Sequence, residues 1–318
     1  MGSTLLLVGG GLVLLALGGE LLVRGAVGAA RRLGISPLLA GLTIVGFGTS
    51  TPELATSVQA ALAGSPGIAL GNVVGSNIAN ILLILGISAL ILPLAVNPAA
   101  FRRDSLALGA STVLATGAVL MGTIGLATGL VLVAGLVGYI WYAYRSEKAA
   151  DDDEAHRHEA ETADTMPVTT RPLALGVMIV AGLAAAIYGA RLLVEGAVVL
   201  AAAAGISESV IGLTVVAIGT SLPEMIACLV AVWRNHPDVA LGNVVGSNIY
   251  NILGILGLTA IIQPIEAPAD IARIDIWILL CVTLLLIVQL RSGWKLSRIE
   301  GGVLLVLYGA YTAALALR

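Results

Sequence analysis

Long apolar runs of about twenty residues, separated by short polar breaks, fill most of this 318-residue chain. As helices, such runs match the ~30 Å hydrocarbon layer of a bilayer. The pattern predicts an all-α polytopic membrane protein with ten spans, near residues 4–30, 37–63, 68–92, 104–122, 124–145, 173–202, 208–233, 238–263, 272–290 and 296–316. Two polar interruptions fall inside runs instead of between them. One is Gly48-Thr49-Ser50-Thr51-Pro52-Glu53, followed by the run Ala69 to Ile78 and by Asn80. The other is Gly219-Thr220-Ser221-Leu222-Pro223-Glu224, followed by the same ten residues from Ala240 to Ile249 and by Asn251. Every matched pair is 171 positions apart.

The doubling extends past the motif. Gly34-Ile35-Ser36 matches Gly205-Ile206-Ser207 and Pro93 matches Pro264, at the same offset. Glu20 and Arg24 become Arg191 and Glu195, which keeps an i,i+4 charge pair in each copy. Residues 1–145 and 173–318 thus form two halves of five expected spans each, joined by a polar linker at 146–172. An odd number of spans per half turns the second half upside down relative to the first. The expected fold is two inverted five-helix repeats with a site where they meet near the midplane.

Composition narrows the class. The chain is 58% apolar and 11% charged with a mean hydropathy of +1.02, a profile of membrane proteins and not of soluble domains. Thirty-nine glycines suit helices whose backbones approach closely. The first apolar run lacks a basic leader and reads as a span that stays in the membrane. Cys228 and Cys281 fall within expected spans and read as small buried apolar residues. If the N-terminus lies outside, twelve of the loop cations, among them Arg31, Arg102, Arg145, Arg234 and Arg291, fall on the inner side. Only Arg273 and Arg318 fall outside, so both termini are expected to be extracytoplasmic and the 146–172 linker cytoplasmic, in the cell membrane. The linker's acids and its His156 and His158 read as a solvated, disordered connector.

The motif has a physical reading. Pro52 cannot donate a backbone hydrogen bond and displaces the carbonyl of Gly48, so the helix should break there and free carbonyls around Gly48 and Thr49. Irregular backbone at membrane depth is tolerated where it lines a cavity or lies within protein. Thr49 and Glu53 share a helical face, with Ser50 at the bend, and Asn72, Ser76 and Asn80 form a second stripe. Thr220, Ser221, Glu224, Asn243, Ser247 and Asn251 repeat the set. Together these groups make an oxygen-rich cage with two carboxylates and no thiolate or imidazole, which suits Na⁺ or Ca²⁺ better than soft transition metals. One Ca²⁺, or two or more Na⁺, would neutralise the two glutamates, so these cations should compete for one pocket.

These residues resemble the sodium/calcium exchanger family, within the wider cation/Ca²⁺ exchanger superfamily, in its prokaryotic form. The Gly-Thr-Ser-x-Pro-Glu and Gly-Asn-x-x-Gly-Ser-Asn-x-x-Asn patterns resemble its two alpha-repeats, over roughly 34–93 and 205–264. The resemblance implies alternating-access antiport of Na⁺ against Ca²⁺, with a central Ca²⁺ on Glu53 and Glu224 and on the backbone carbonyls of Thr49 and Thr220. It implies that Ser50, Ser76, Ser221 and Ser247 contribute to flanking Na⁺ sites, and that Asn80 and Asn251 complete the ring. Relatives often carry Asp where this chain has Asn251, so the cage here is expected to be more symmetric and transport less pH-sensitive.

The main alternative is a proton/Ca²⁺ antiporter of the same superfamily. None of the three histidines lies at an expected midplane, which disfavours proton coupling. A cation channel is less favoured because internal inverted repeats suit alternating access. An enzyme is not expected, since neither a His/Cys metal set nor a nucleophile–base pair is found. The expected substrates are Ca²⁺ and Na⁺ and the expected surroundings the lipid bilayer. Nothing in the chain points to a cofactor, a nucleic acid or an obligatory protein partner.

Overall fold

A computed structural model of the chain describes residues 2–154, 171–203 and 217–317. Helix α1 runs Gly2–Leu33. The next stretch is composite: α2 Pro37–Ala40, a π-helical turn Gly41–Val45, α3 Gly46–Thr49 and α4 Thr51–Leu62. Then α5 Pro66–Ala79 passes through a π-helical turn Asn80–Ile84 into α6 Leu85–Ile91. Helices α7 Pro98–Leu120, α8 Leu126–Glu154 and α9 Pro172–Ala203 follow. The remainder comprises α10 Ala217–Thr220, α11 Leu222–Trp233, and α12 Pro237–Ile249 leading through a π-helical turn Tyr250–Leu256 into α13 Gly257–Ile262. The chain closes with a π-helical turn Ile271–Asp275, α14 Ile276–Gly293 and α15 Arg298–Ala316.

Local sequence explains the boundaries. Proline occupies the first turn of α2, α4, α5, α7, α11 and α12, where its fixed φ suits a helix and its missing N–H is no loss. Ser36 caps α2, Asn97 caps α7, and Ser297 with Glu300 forms a capping box at α15. After α4 the chain turns through Gly64 at φ +73°, and Asn235 holds the equivalent left-handed turn after α11 at φ 61°.

Among the described residues, six helices are long and apolar enough to cross a membrane: Leu6–Leu33, Pro66–Ile91, Leu126–Glu147, Pro172–Ala197, Pro237–Ile262 and Ile271–Gly293. The distribution of polarity is that of a membrane protein. Leu106, Val180 and Val306 are turned outward, while Glu53, Glu224, Asn80 and Asn251 are buried. A water-soluble fold has the opposite arrangement.

Helices α1 and α9 pack antiparallel along most of their length. Gly11 faces Leu193, Gly18 faces Ala186 and Gly25 faces Ile179, so the partner number falls as the first rises. At the centre, α12 threads against α2 and the π-helical turn that follows it. Gly242 and Gly246 there lie against the backbone of Leu38 and Leu42. Two short antiparallel pairings tie the loops, Leu94–Ala95 with Lys295–Leu296 and Thr123–Ile124 with Ile265–Glu266.

A buried polar cluster joins α7, α8 and the start of α2. Asp104 pairs with Arg103 at 2.6 Å and accepts from the Tyr139 hydroxyl at 2.9 Å. Glu147 accepts from the backbone N–H and hydroxyl of Ser36, at 2.8 and 2.7 Å, and lies 3.4 Å from Arg103.

Three expectations need correction here. Helix α8 continues to Glu154, into the stretch expected to be a disordered connector, because Ser146 to Glu154 contains no helix breaker. The rest of that linker, with His156 and His158, lies outside the described residues except for Arg171 and Pro172. Cys281 is exposed, because it sits on the outward face of α14, while Cys228 is buried as expected. Glu20 is more than half of a local pair: besides Arg24 it accepts from Arg234, at the end of α11.

Candidate functional site

Each glutamate sits in the first turn after an interrupted helix. At Ser50 the backbone leaves helical geometry (φ −80°, ψ 9°) between α3 and α4, and at Ser221 it does so again (φ −89°, ψ 8°) between α10 and α11. The interruption is narrower than the sequence implied. Ser50 N–H still reaches Gly46 O at 3.2 Å and Leu54 N–H reaches Ser50 O at 3.2 Å. The Gly48 carbonyl that Pro52 displaces is not free, because the Thr51 hydroxyl donates to it at 2.8 Å. Leu222 stands at the equivalent place in the second copy and brings no hydroxyl.

The breaks bring the two copies together by hydrogen bonds that cross between them. Ser50 Oγ donates to Glu224 Oε1 at 2.9 Å, and Ser221 Oγ donates to Glu53 Oε1 at 3.4 Å. Asn251 Nδ2 donates to Ser76 Oγ at 3.1 Å, and Ser247 Oγ donates to Gly46 O at 3.2 Å. Thr49 Oγ1 donates back to Val45 O at 3.0 Å and lies 3.4 Å from Asn243 Oδ1. Nine of the ten expected site residues are thus buried and joined across the copies or next to those that are. The tenth, Thr220, ends α10 beside Ser221 and is half-buried.

Behind the glutamates the two copies use one device. Asn72 Nδ2 donates to the Glu53 carbonyl at 3.0 Å and to Ser57 Oγ at 2.9 Å. Asn243 Nδ2 donates to the Glu224 carbonyl at 3.1 Å and to Cys228 Sγ at 3.1 Å. Each amide therefore ties the carboxylate-bearing helix to the helix after it. Ser57 and Cys228 escaped the sequence reading because each falls outside its motif. The 171-residue offset that relates them was the available signal.

Asn77 and Asn248 were also missed. Asn80 Nδ2 donates to Asn248 Oδ1 at 3.1 Å, Asn248 Nδ2 reaches Asn77 O at 3.4 Å, and Asn77 Nδ2 donates to Val73 O at 2.7 Å. Selecting residues four apart passed over them, although residues three apart share a helical face equally well. The π-helical turns that begin at Asn80 and at Tyr250 adjoin the site, where such irregularities often accompany function.

Glu53 Oε2, Glu224 Oε2, Asn80 Oδ1 and Asn251 Oδ1 are buried oxygens with no hydrogen-bond partner, as are Asn77 Oδ1 and several polar atoms outside the motif. The first four come from four helical stretches, and with the carboxyls ionised all of them are acceptors. A buried acceptor left alone costs about 1–3 kcal/mol, more when charged. Hard oxygen acceptors of this kind are the chemistry that suits a cation such as Na⁺ or Ca²⁺. Among the described residues no cluster of three or more His, Cys, Asp or Glu side chains occurs, so a tight resident metal centre of the usual ligand type is not seen there. Two carboxylates plus neutral oxygens suit binding and release.

An outward-apolar helical bundle that buries two interrupted helices and their acceptor-rich side chains defines a membrane protein with a polar centre. The chain belongs to the sodium/calcium exchanger protein family, whose model matches residues 3–145 and 174–317. It is 40% identical over 306 residues to a putative antiporter, CaxA, of Alkalimonas amylolytica, covering 95% of each chain. It is 31% identical over 336 residues to the sodium/calcium exchanger MaX1 of Methanosarcina acetivorans, covering 96% of each. Among solved structures it is similar to the sodium-calcium exchanger NCX_Mj soaked with 10 mM Na⁺ and no Ca²⁺. The TM-score is 0.84 at 32% identity, covering 98% of this chain and 99% of that one.

Proposed function

We propose that the protein is a secondary antiporter that moves Na⁺ and Ca²⁺ in opposite directions through one midplane site. The carrying observation is the set of four unpartnered buried oxygens on Glu53, Glu224, Asn80 and Asn251. Two carboxylates of total charge −2 are matched by one Ca²⁺ or by at least two Na⁺, and neither load can enter while the other is held. Competition for a shared site is what couples the two fluxes.

In this reading ten spans form two inverted five-helix repeats, 1–145 and 173–318, joined by the cytoplasmic 146–172 segment, with both termini extracytoplasmic in the cell membrane. Support comes from the constant 171-residue offset, from the family match falling in two blocks, and from the crossed Ser50–Glu224 and Ser221–Glu53 contacts. Glu53 and Glu224 hold the divalent ion, with Thr49 and Thr220 supplying backbone oxygens. The flanking serines and the two amides shape the remaining volume. With three Na⁺ per Ca²⁺ the cycle would move one net charge, worth about 2.3 kcal/mol per 100 mV.

The test is ⁴⁵Ca²⁺ uptake into proteoliposomes under imposed gradients. Uptake driven by outward Na⁺ and indifferent to a proton gradient is the expected result. Uptake that follows the proton gradient and ignores Na⁺ would replace this reading with proton/Ca²⁺ antiport.

A further inference from the structure

The α1–α9 pair rests unequally on the two glutamate-bearing helices. On one side α1 lies along α11. Leu15 is buried with Leu222, and a Cβ on Gly19 would fall 2.9 and 3.0 Å from side-chain carbons of Ile226 and Val230. Glu20, next in the chain, accepts from two nitrogens of the Arg234 guanidinium, with Nε 2.8 Å from Oε2. On the other side the 171-residue offset sets α9 against α4, with Thr51, Ala55 and Gln59 in the places of Leu222, Ile226 and Val230. These three are exposed, whereas Leu222 is buried and Ile226 and Val230 are half-buried. The α1 side is closed and the α9 side is open.

The charges differ in the same sense. The equivalent of Glu20 is Arg191, but the equivalent of Arg234 is Ala63, which carries no charge. The sign exchange keeps an i,i+4 charge pair within each long helix and leaves the pair between helices to one copy. Inverted repeats allow a second access state in which the copies exchange roles. That state would close α9 on α4 and part α1 from α11. Arg24 would travel with Glu20 on α1, Arg234 would stay behind without that carboxylate, and Ala63 would offer Arg191 nothing in return. We infer that the Glu20–Arg234 ion pair is a one-sided latch, which holds α1 on α11 and favours the state seen here over the exchanged one. Glu20 is 23% exposed and Arg234 37%, so screening keeps the bias modest. The inference rests on the alternating-access reading above, but not on which ion is coupled.

The test is double electron–electron resonance on the full-length protein in lipid nanodiscs. Spin labels are placed on α4 and α9 at Gln59→Cys and Tyr188→Cys, both exposed positions, with Cys281→Ala to remove the exposed native thiol. A far separation is expected for the state seen here and a near one for the exchanged state. Glu20→Gln or Arg234→Gln should raise the near-to-far ratio about threefold. Ala63→Glu, which offers Arg191 a partner on the opposite side, should raise it about threefold as well, and about tenfold when combined with Glu20→Gln. Reversing both charges, Glu20→Arg with Arg234→Glu, should return the ratio to that of the wild type. A ratio unmoved by these changes would overturn the latch, as would a double reversal that behaves like the single substitutions. Ala63→Glu leaves the native pair in place, so it decides the matter even if the Glu20 variants do not fold. If the ratio moves as expected while a Na⁺ gradient drives no Ca²⁺ uptake, the latch stands and the coupling ion is what fails.

Discussion

Gly18 of α1 and Ala186 of α9 approach so closely that a Cβ on Gly18 would lie 2.5 Å from the backbone nitrogen of Ala186. The contact belongs to a series. Gly11, Gly18 and Gly25 recur every seventh residue, and Gly182, Gly189 and Gly196 repeat them 171 positions later. At Gly11, Gly18, Gly182 and Gly189 the added atom would meet partner backbone at 2.5 to 2.8 Å, which cannot yield. At Gly25 and Gly196 the nearest atoms are side-chain carbons of Ile179 and Val8, and the partner backbone nitrogen stands off at 3.2 Å. Close backbone approach of this kind is how helices associate where water supplies no drive.

Gly18→Ala or Gly182→Ala should therefore lower stability by about 1–3 kcal/mol, as overpacking does in tight cores. Gly25→Ala should cost less. Gly9→Ala, with nothing within 4 Å of the new atom, should be neutral or gain up to about 1 kcal/mol from helix propensity. Thermal unfolding in detergent ranks the four. A flat ranking would remove the backbone contact as the reason for the glycines.

Glu53→Gln and Glu224→Gln should each abolish Ca²⁺ uptake while leaving the protein folded. Each change keeps the size of the side chain but removes half the site's negative charge. The amide also places a donor where an orphaned, buried Oε2 now stands. Uptake into Na⁺-loaded vesicles, with size-exclusion profiles for folding, checks this. Retained transport in either variant would move the site away from these residues.

The parts of the site that were legible in the sequence are the polar residues repeated within apolar runs, because polar atoms at that depth stand out. The glycine series was not read, since a single glycine among leucines and valines carries no signal until the halves are aligned. Asn77 and Asn248 were passed over by a four-residue spacing rule, and Cys228 by its apolar character. The capture of the Gly48 carbonyl by Thr51 could not be read either: Thr51 varies between the copies, and its rotamer decides what it bonds. For the same reason the sequence could not separate Ser76 from Ser247. Ser76 donates to Val73 O and accepts from Asn251, while Ser247 donates to Gly46 O, a difference of partners and not of composition.

Asn243 holds the Glu224 carbonyl and the Cys228 sulfur as Asn72 holds Glu53 and Ser57. Cys228→Ser gives the second copy the partner of the first, and should leave uptake within about twofold of wild type. Asn243→Ala strands the buried Glu224 carbonyl and lets the carboxylate-bearing helix shift, at a cost of about 1–3 kcal/mol. Its Ca²⁺ affinity should fall as stability does. Should Asn243→Ala lose stability without any change in half-saturating Ca²⁺, the brace would be structural only.

Asp104 anchors α7 to α8 through Arg103 and Tyr139, and its side chain is 4% exposed beside an arginine that is 6% exposed. Removing one charge leaves the other buried without its main partner, an arrangement that costs about 3–5 kcal/mol. Asp104→Asn should therefore reduce the yield of folded protein and lower its thermal midpoint. Glu147→Gln, one step farther from Arg103 at 3.4 Å, should do so less, because the Ser36 contacts can persist with a neutral oxygen. Equal losses would mean that the charge of Glu147 supports Arg103 as much as that of Asp104 does.

Asn251 contributes an oxygen that cannot titrate, so its share of the site is constant with pH. In Asn251→Asp the same position becomes an acid, neutral when protonated and charged when not. A protonated carboxyl closely matches the amide in shape and still offers a donor to Ser76. The variant should therefore approach wild-type transport at pH 6 and depart from it as the pH rises to 8, where a third charge enters the cage. A site built for −2 then holds −3, which should tighten Ca²⁺ and slow its release. The wild-type profile over the same interval should be flatter. Parallel ⁴⁵Ca²⁺ uptake curves for the two proteins from pH 6 to 8 measure this directly. Two curves with the same steep slope would show that the titrating group lies elsewhere than position 251.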